Sequence, residues 1–382
     1  MKSIAKLIRI IQCFVRFFIY TVHCWLIYAE MSRKQTLLPF TVFKNEFIKY
    51  IRCMLRDPRK DLMHVQLQAF LKSDFSLISD RLVLSNDDTD PIVIAVVKNE
   101  IQKIRLFFQH YRKLGVKQFV VLDNCSDDGT LEYLRDQEGT RVYQIQDSFQ
   151  TQKKEAWIEK LLVLTGVNRW YVVVDSDELL DYVGSEEHNI KEIIKKCETK
   201  GYKRVWGFLL DMYSNDILFA EKDSKSFMTD ELKYFDQTGY NMNLNCCPGA
   251  FIIHNDMIVG GPRHRVFDLD VVLSKQTIFF YDEKSLYRNC HYMYPIIKWG
   301  TVPCWFVLRH YKFLQSDKAE YEKRILNKNF YNDSIEYRKV LEQTKNNDLC
   351  MFYEHSKSYE NSCSLRVLPY LQEIEWQEKR NN

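Results

Sequence analysis

The chain has 382 residues and a formal net charge of +3, with 27% charged and 14% aromatic residues. So balanced a charge excludes a globally basic nucleic-acid-binding surface, and the length suits one enlarged α/β domain or a domain with added arms. Eleven cysteines, odd in number, scattered and without a C-x-x-C pair, argue against a disulfide framework or zinc cage and for reduced thiols in a cytosolic compartment.

Residues 1–30 read as an amphipathic helix. Lys2, Lys6, Arg9 and Arg16 fall on one helical stripe continued by Tyr20 and His23, and Ile4, Leu7, Ile8, Ile11, Phe14, Phe18, Val22 and Trp25 fill the other side. Arg16 interrupts the apolar run, which is unlike a signal peptide. The run after Arg16 is also short of the roughly 20 residues that cross a bilayer. The expectation is a helix lying on the anionic inner face of the plasma membrane, with its basic stripe toward the headgroups; the alternative is a helix docked on the protein's own core. Residues 31–90 form a helical extension, with Phe43, Phe47, Ile48, Ile51 and Leu55 at helix spacing and Pro58 ending the run. The polar stretch 85–91 marks the domain boundary.

Beyond it, strand and helix alternate, which predicts a mostly parallel sheet flanked by helices. Strands are expected at 92–97, 118–122, 141–145, 170–174 and 205–210, and helices at 101–114, 130–134, 154–165 and 189–196. Right-handed crossovers then bring Asn99, Asp123, Asp175 and Asp211 to one edge of the sheet. The polar turn 123–130, which includes Asn124 and Asp127, is rich in groups that accept from amides. At residues 170–178 an apolar run enters three acids, Asp175, Asp177 and Glu178. That is how a strand buried on both faces ends at a crevice. Two clustered carboxylates suit a hard ion, Mn²⁺ or Mg²⁺, which can hold a diphosphate; the competing reading is a helix starting at Glu178. No G-x-G-x-x-G follows the first strand and no G-x-x-x-x-G-K-[ST] occurs, so neither a dinucleotide oxidoreductase nor a P-loop NTPase is supported.

Several segments in order resemble family 2-like glycosyltransferases of the GT-A fold, in particular a bacterial branch. They are Val97-Lys98-Asn99-Glu100, Asp123-Asn124-Cys125-Ser126-Asp127-Asp128-Gly129-Thr130, and Asp175-Ser176-Asp177-Glu178-Leu179-Leu180 with its Asp-any-Asp motif. Leu210-Asp211-Met212-Tyr213, Tyr234-Phe235-Asp236 with Gly239-Tyr240, Gly260-Gly261-Pro262-Arg263 with Arg265-Val266-Phe267, His291, and Arg309-His310-Tyr311-Lys312-Phe313-Leu314 follow. The resemblance covers residues 91–370 and implies a Rossmann-like GT-A domain, assigned to 91–315, before a helical C-terminal arm and tail at 316–382. It implies transfer of a sugar from a nucleotide-sugar donor to a glycan or lipid-linked acceptor, in cell-surface polysaccharide synthesis. Asp123 would contact the base, Asn99 or Glu100 the ribose, and Asp175 and Asp177 the metal, with His291 or His310 brought back to it. Lys153, Arg263 and Arg265 are candidates for meeting phosphate, their alternative being solvated charges. Asp211 and Asp236 are the candidate catalytic bases, with Asp236 preferred. The paired Glu-Asp of many such enzymes does not occur, which leaves inversion or retention open. Two other readings stand beside this one: a sugar-nucleotide nucleotidyltransferase, and a non-catalytic glycan-binding protein that keeps the fold.

Overall fold

Unbroken apolar runs make the centre of the molecule. In the computed structural model, β2 (Ile92–Val97), β3 (Gln118–Asp123), β4 (Thr140–Gln144) and β5 (Arg169–Val173) are parallel neighbours, and β2 and β3 are buried along their whole length, as expected of strands covered on both faces. The structure describes residues 40–56, 60–220, 228–243, 257–327, 331–345 and 348–376, together with residues 15, 17–27 and 29. The end of the expected tail, residues 377–382, lies outside them.

Two antiparallel edges correct the expectation of a mostly parallel sheet. β1 (Ser76–Asp80) pairs with β4 and β12 (Ile278–Tyr281) with β5, giving a mixed six-stranded sheet of order β1-β4-β3-β2-β5-β12. β1 falls in the stretch read as helical, so the N-terminal extension supplies a strand as well as helices α1 (Phe40–Arg56) and α2 (Lys60–Lys72). Crossover helices α3 (Ile101–Lys113), α4 (Thr130–Arg135) and α5 (Thr151–Thr165) connect the parallel strands.

The larger departure is a second sheet. β6 (Glu178–Asp181) follows β5 directly, so Glu178 begins a strand and not a helix. After α6 (Ile190–Thr199), whose Asn189–Glu192 capping box fixes its start, comes β7 (Trp206–Asp211). Expected as a fifth strand of the first sheet, β7 instead lies in the order β11-β7-β15-β6, with β11 (Ser274–Lys275) and β15 (Cys304–His310). β7 is parallel to β15, and β6 is antiparallel to it. The reason is non-local: β15 arrives about a hundred residues later and is buried throughout.

The remaining elements are short. α7 (Met228–Glu231), β8 (Tyr234–Asp236), β9 (Tyr240–Asn243), β10 (Met257–Gly260) and α8 (Gly261–Phe267) precede β11; β13 (Leu286–Tyr287) and β14 (Met293–Tyr294) pair before β15. α9 (Gln315–Asn327) and α10 (Tyr331–Thr344) pack together, and β16 (Ser356–Ser358) pairs with β8. These C-terminal helices are more than the outer arm expected, because Asp317 and Glu336 on them ion-pair with buried Lys103 and Arg263 of the domain. At the other end, α2 packs on α5 over a buried cluster that includes Tyr50, Met63, Leu67, Phe70 and Ala156. A polar knot crosses that junction: Glu159 accepts from the Tyr281 hydroxyl at 2.7 Å and the Tyr287 amide at 2.7 Å, with Lys49 at 3.5 Å, and Lys49 also pairs with Glu46 at 2.5 Å.

Candidate metal and diphosphate site

The site forms where the chain passes from one sheet to the other. β5 ends at Val173, Asp175 and Asp177 fall in the turn, and β6 begins at Glu178. Across the second sheet, register aligns Glu178 with His310 and His310 with Asp211. One ligand atom from each of Asp177, Glu178 and His310 lies within 4.8 Å of the others. His310 Nε2 is 3.7 Å from Asp177 Oδ2, and its Nδ1 is 2.7 Å from Asp211 Oδ1. An ionised carboxylate only accepts, so in the neutral ring Nδ1 carries the proton and Nε2 presents its lone pair toward Asp177. A carboxylate behind an imidazole in this way orients a metal-ligating histidine.

Asp211 is itself held from behind. Its Oδ2 accepts from Arg263 Nε at 2.7 Å; Arg263 Nη1 donates to Glu336 at 3.0 Å, and Lys312 donates to the same Glu336 oxygen at 2.5 Å. Burial opposes ionisation of Asp211, but Arg263 and His310 outweigh it and keep its carboxyl well below the usual range. Asp211 is therefore fixed as an anion with both oxygens engaged.

Lysines surround the acids. Lys154 on α5 reaches Asp175 Oδ1 at 2.5 Å, and buried Lys275 on β11 pairs with Glu178. Despite burial, Lys154 and Lys275 keep the Asp175 carboxyl below its ordinary range, and His310 and Lys103 do the same for Asp177. Lys103 ion-pairs with Asp317 at 2.7 Å and lies 3.9 Å from Glu100. Glu100 behaves oppositely: burial pushes its carboxyl up to about 7, Lys103 works against the rise, and Asp177 adds to it.

Other sequence candidates are brought to the same edge but serve the loops. Asn99, at φ 55°, accepts from the Asp127 amide at 2.9 Å while its own amide donates to Ser126 Oγ. Asp127 is exposed; the neighbouring Asp128 accepts from the Ile101 amide at the start of α3. Asp123 is buried, and its Oδ2 accepts from the Ser126 amide and Gln144, but its Oδ1 has no hydrogen-bond partner. The Asn124 amide nitrogen spans the Ile145 and Asp147 carbonyls, and its Oδ1 also lacks a partner. Two acceptors without hydrogen-bond partners thus belong to successive residues at the end of β3.

Five candidates are placed away from the cluster. Lys153 pairs with Asp147 at 2.6 Å, and its neighbour Lys154 turns inward. Arg263 faces Asp211 from behind. Arg265 holds Asp236 with two bonds of 2.9 Å, and Tyr213 donates to the same carboxylate at 2.5 Å, so Asp236 is engaged on both oxygens. His291 Nδ1 lies 2.9 Å from the Ser274 carbonyl, and the ring is not in the metal-competent group.

Lys103, Lys154, Lys275 and Glu336 are site residues absent from the sequence reading. Lys154 had a local signal, one position from Lys153 at a helix start. Lys275 and Glu336 had none, since long-range pairing alone brings them in. No family model matches this chain, and no curated protein matches it either.

Proposed function

We propose that the protein is a metal-dependent glycosyltransferase of GT-A type, moving a sugar from a nucleotide-sugar donor to a glycan or lipid-linked acceptor. The observation that carries this reading is the grouping of Asp177, Glu178 and His310, with Asp211 behind the histidine and lysines beside it. Two carboxylates and an imidazole suit Mn²⁺, or Mg²⁺ with fewer protein ligands, and so few donors leave coordination positions for phosphate oxygens. Bound there, the ion supplies Lewis-acid neutralisation of the departing diphosphate. Asp177, Glu178 and His310 would hold it, and Asp211 keeps the imidazole in the tautomer that binds. Lys154 and Lys275 add positive charge where the diphosphate lies. Asp123 and Asn124 offer their orphaned oxygens to N–H groups of a base. Asp211 and Asp236, the bases the sequence suggests, are each locked to an arginine, so the proton acceptor is Glu100, whose affinity for a proton is matched to neutral pH.

One observation favours a second reading. Asp175 and Glu178 already have cationic partners, Lys154 and Lys275, so lysines alone could neutralise a diphosphate without a metal. A thermal-shift screen of nucleoside diphosphates with Mn²⁺ or with chelator separates the two. The proposal expects one base to raise the melting temperature only with Mn²⁺, and Asp177→Asn and His310→Ala to erase that rise. A rise that survives chelator establishes the lysine site, and no rise with any nucleotide removes both.

A further inference from the structure

The N-terminal helix is docked on the protein and still displays an apolar stripe. Its inward face is well held: Tyr20 stacks on His64 with ring centroids 4.0 Å apart, His23 meets Gln68 at 2.9 Å, and Cys24 and Ile27 are buried. Tyr20 and His23, expected to face lipid headgroups, therefore face the protein. The outward face carries Val15, Phe18, Ile19, Val22, Trp25 and Leu26, with Phe18 69% and Leu26 64% exposed. Their spacing is that of a single helical stripe. Six large apolar side chains in one contiguous row exceed the scattered exposure that a monomer's surface normally shows.

The sequence on either side indicates what covers this row. Residues 1–14 lie outside the described residues, but their sequence continues the same spacing through Ile11, Ile8 and Ile4. Residues 1–29 contain Lys2, Lys6, Arg9 and Arg16 and not one Asp or Glu. An acid-free, basic and apolar segment repels a second copy of itself and complements a surface that is both oily and negatively charged. Among the described residues no helix is long and apolar enough to cross a membrane, so the segment lies along such a surface and does not pass through it. Trp25 sits at the margin of the row, its half-exposed ring 5.5 Å from that of Phe47 on α1.

We propose that this helix seats the protein on an anionic lipid bilayer, with the stripe from Val15 to Leu26 sunk into the headgroup–acyl boundary. The anchor is rigid with respect to the body, because the opposite face of the same helix packs on α2. The inference does not rest on sugar transfer: Phe18 and Leu26 touch neither the acids nor the lysines of the site.

The test is co-sedimentation of the full chain with vesicles of phosphatidylcholine alone or mixed with phosphatidylglycerol. The expected result is binding to the mixed vesicles that weakens with added salt, lost in Phe18→Glu/Leu26→Glu. In Lys2→Glu/Lys6→Glu/Arg9→Glu, affinity should fall by about five-fold or more per reversed charge. Phe18 and Leu26 are solvent-exposed, and an unchanged melting temperature in each variant checks that the fold is intact. Failure to bind the anionic vesicles, or binding indifferent to Phe18→Glu/Leu26→Glu, overturns the proposal. Light scattering that finds a dimer which those substitutions dissociate, with no vesicle binding, assigns the stripe to a second copy of the chain instead.

Discussion

Adjacent lysines give the sharpest contrast at the scale of single residues. Lys153 is tied to Asp147 near the surface, whereas Lys154 meets Asp175 within the site. If the two lysines do as their partners suggest, Lys154→Ala lowers transfer by on the order of a hundred-fold, and Lys153→Ala changes it by less than about three-fold. Steady-state rates with saturating donor check this, and equal effects would remove Lys154 from the diphosphate. Glu100 carries a second expectation. A base must be deprotonated to work, so the rate should rise as pH passes about 7, and Glu100→Gln should both lower the rate and flatten that limb of the profile. A profile unchanged by the substitution would place the base elsewhere. Part of this site was legible one residue at a time: Asp177 stands out because an apolar strand runs straight into it, whereas Asp175, expected as its fellow ligand, pairs with Lys154 and is outside the metal-competent group. Lys275 does not, since nothing within several residues of it marks a lysine destined for burial beside Glu178.

Among the elements, strands were easier to find than to assign. Residues 205–211 have the same unbroken apolar character as 92–97, and periodicity cannot tell which sheet such a strand joins. The partner β15 decides that, and it lies far away in sequence. The mixed α/β class follows from the alternation of elements, but the antiparallel edges do not, because β1 and β12 come from segments outside that alternation. The C-terminal helices teach the same lesson. Their charged sequence suggests a solvated face, yet Glu336 on α10 is the shared anion for Arg263 and Lys312. Glu336→Ala leaves Lys312 covered and without this counter-charge, and leaves Arg263 with Asp211 alone. Removing one partner of a buried ion pair costs about 3–5 kcal/mol, and the partial exposure of Glu336 points to the lower end, about 3 kcal/mol. Denaturant unfolding measures that cost, and a loss under about 1 kcal/mol would mean that α10 is as peripheral as its sequence suggests.

For the molecule as a whole, the junction between the N-terminal helices and the first sheet sets a pH dependence. Burial, reinforced by the Glu159 carboxylate and opposed by Lys49, pushes the Glu46 carboxyl from its ordinary 4.5 up to about 9. Between those values the folded chain keeps a proton that the unfolded chain has released. The contribution to stability is therefore full below pH 4.5 and is lost as pH rises toward 9. Melting temperatures across that range should fall more steeply for the native chain than for Glu46→Gln, and parallel curves would show that the knot does not titrate as described. The N-terminal extension is thus a structural part of the molecule, joined to α5 and through it to Lys154, and the site depends on its packing.

The turn bearing Asp175 and Asp177 carries the chain from β5 of one sheet to β6 of the other, and residues 276–277 carry it back from β11 to β12. An ion held by Asp177 and His310 would add a second tie between this turn and the end of β15, which the Tyr311 amide already holds through the Asp177 carbonyl at 2.9 Å. Substitutions that shift the turn against β15 should then weaken metal affinity even where they remove no ligand atom.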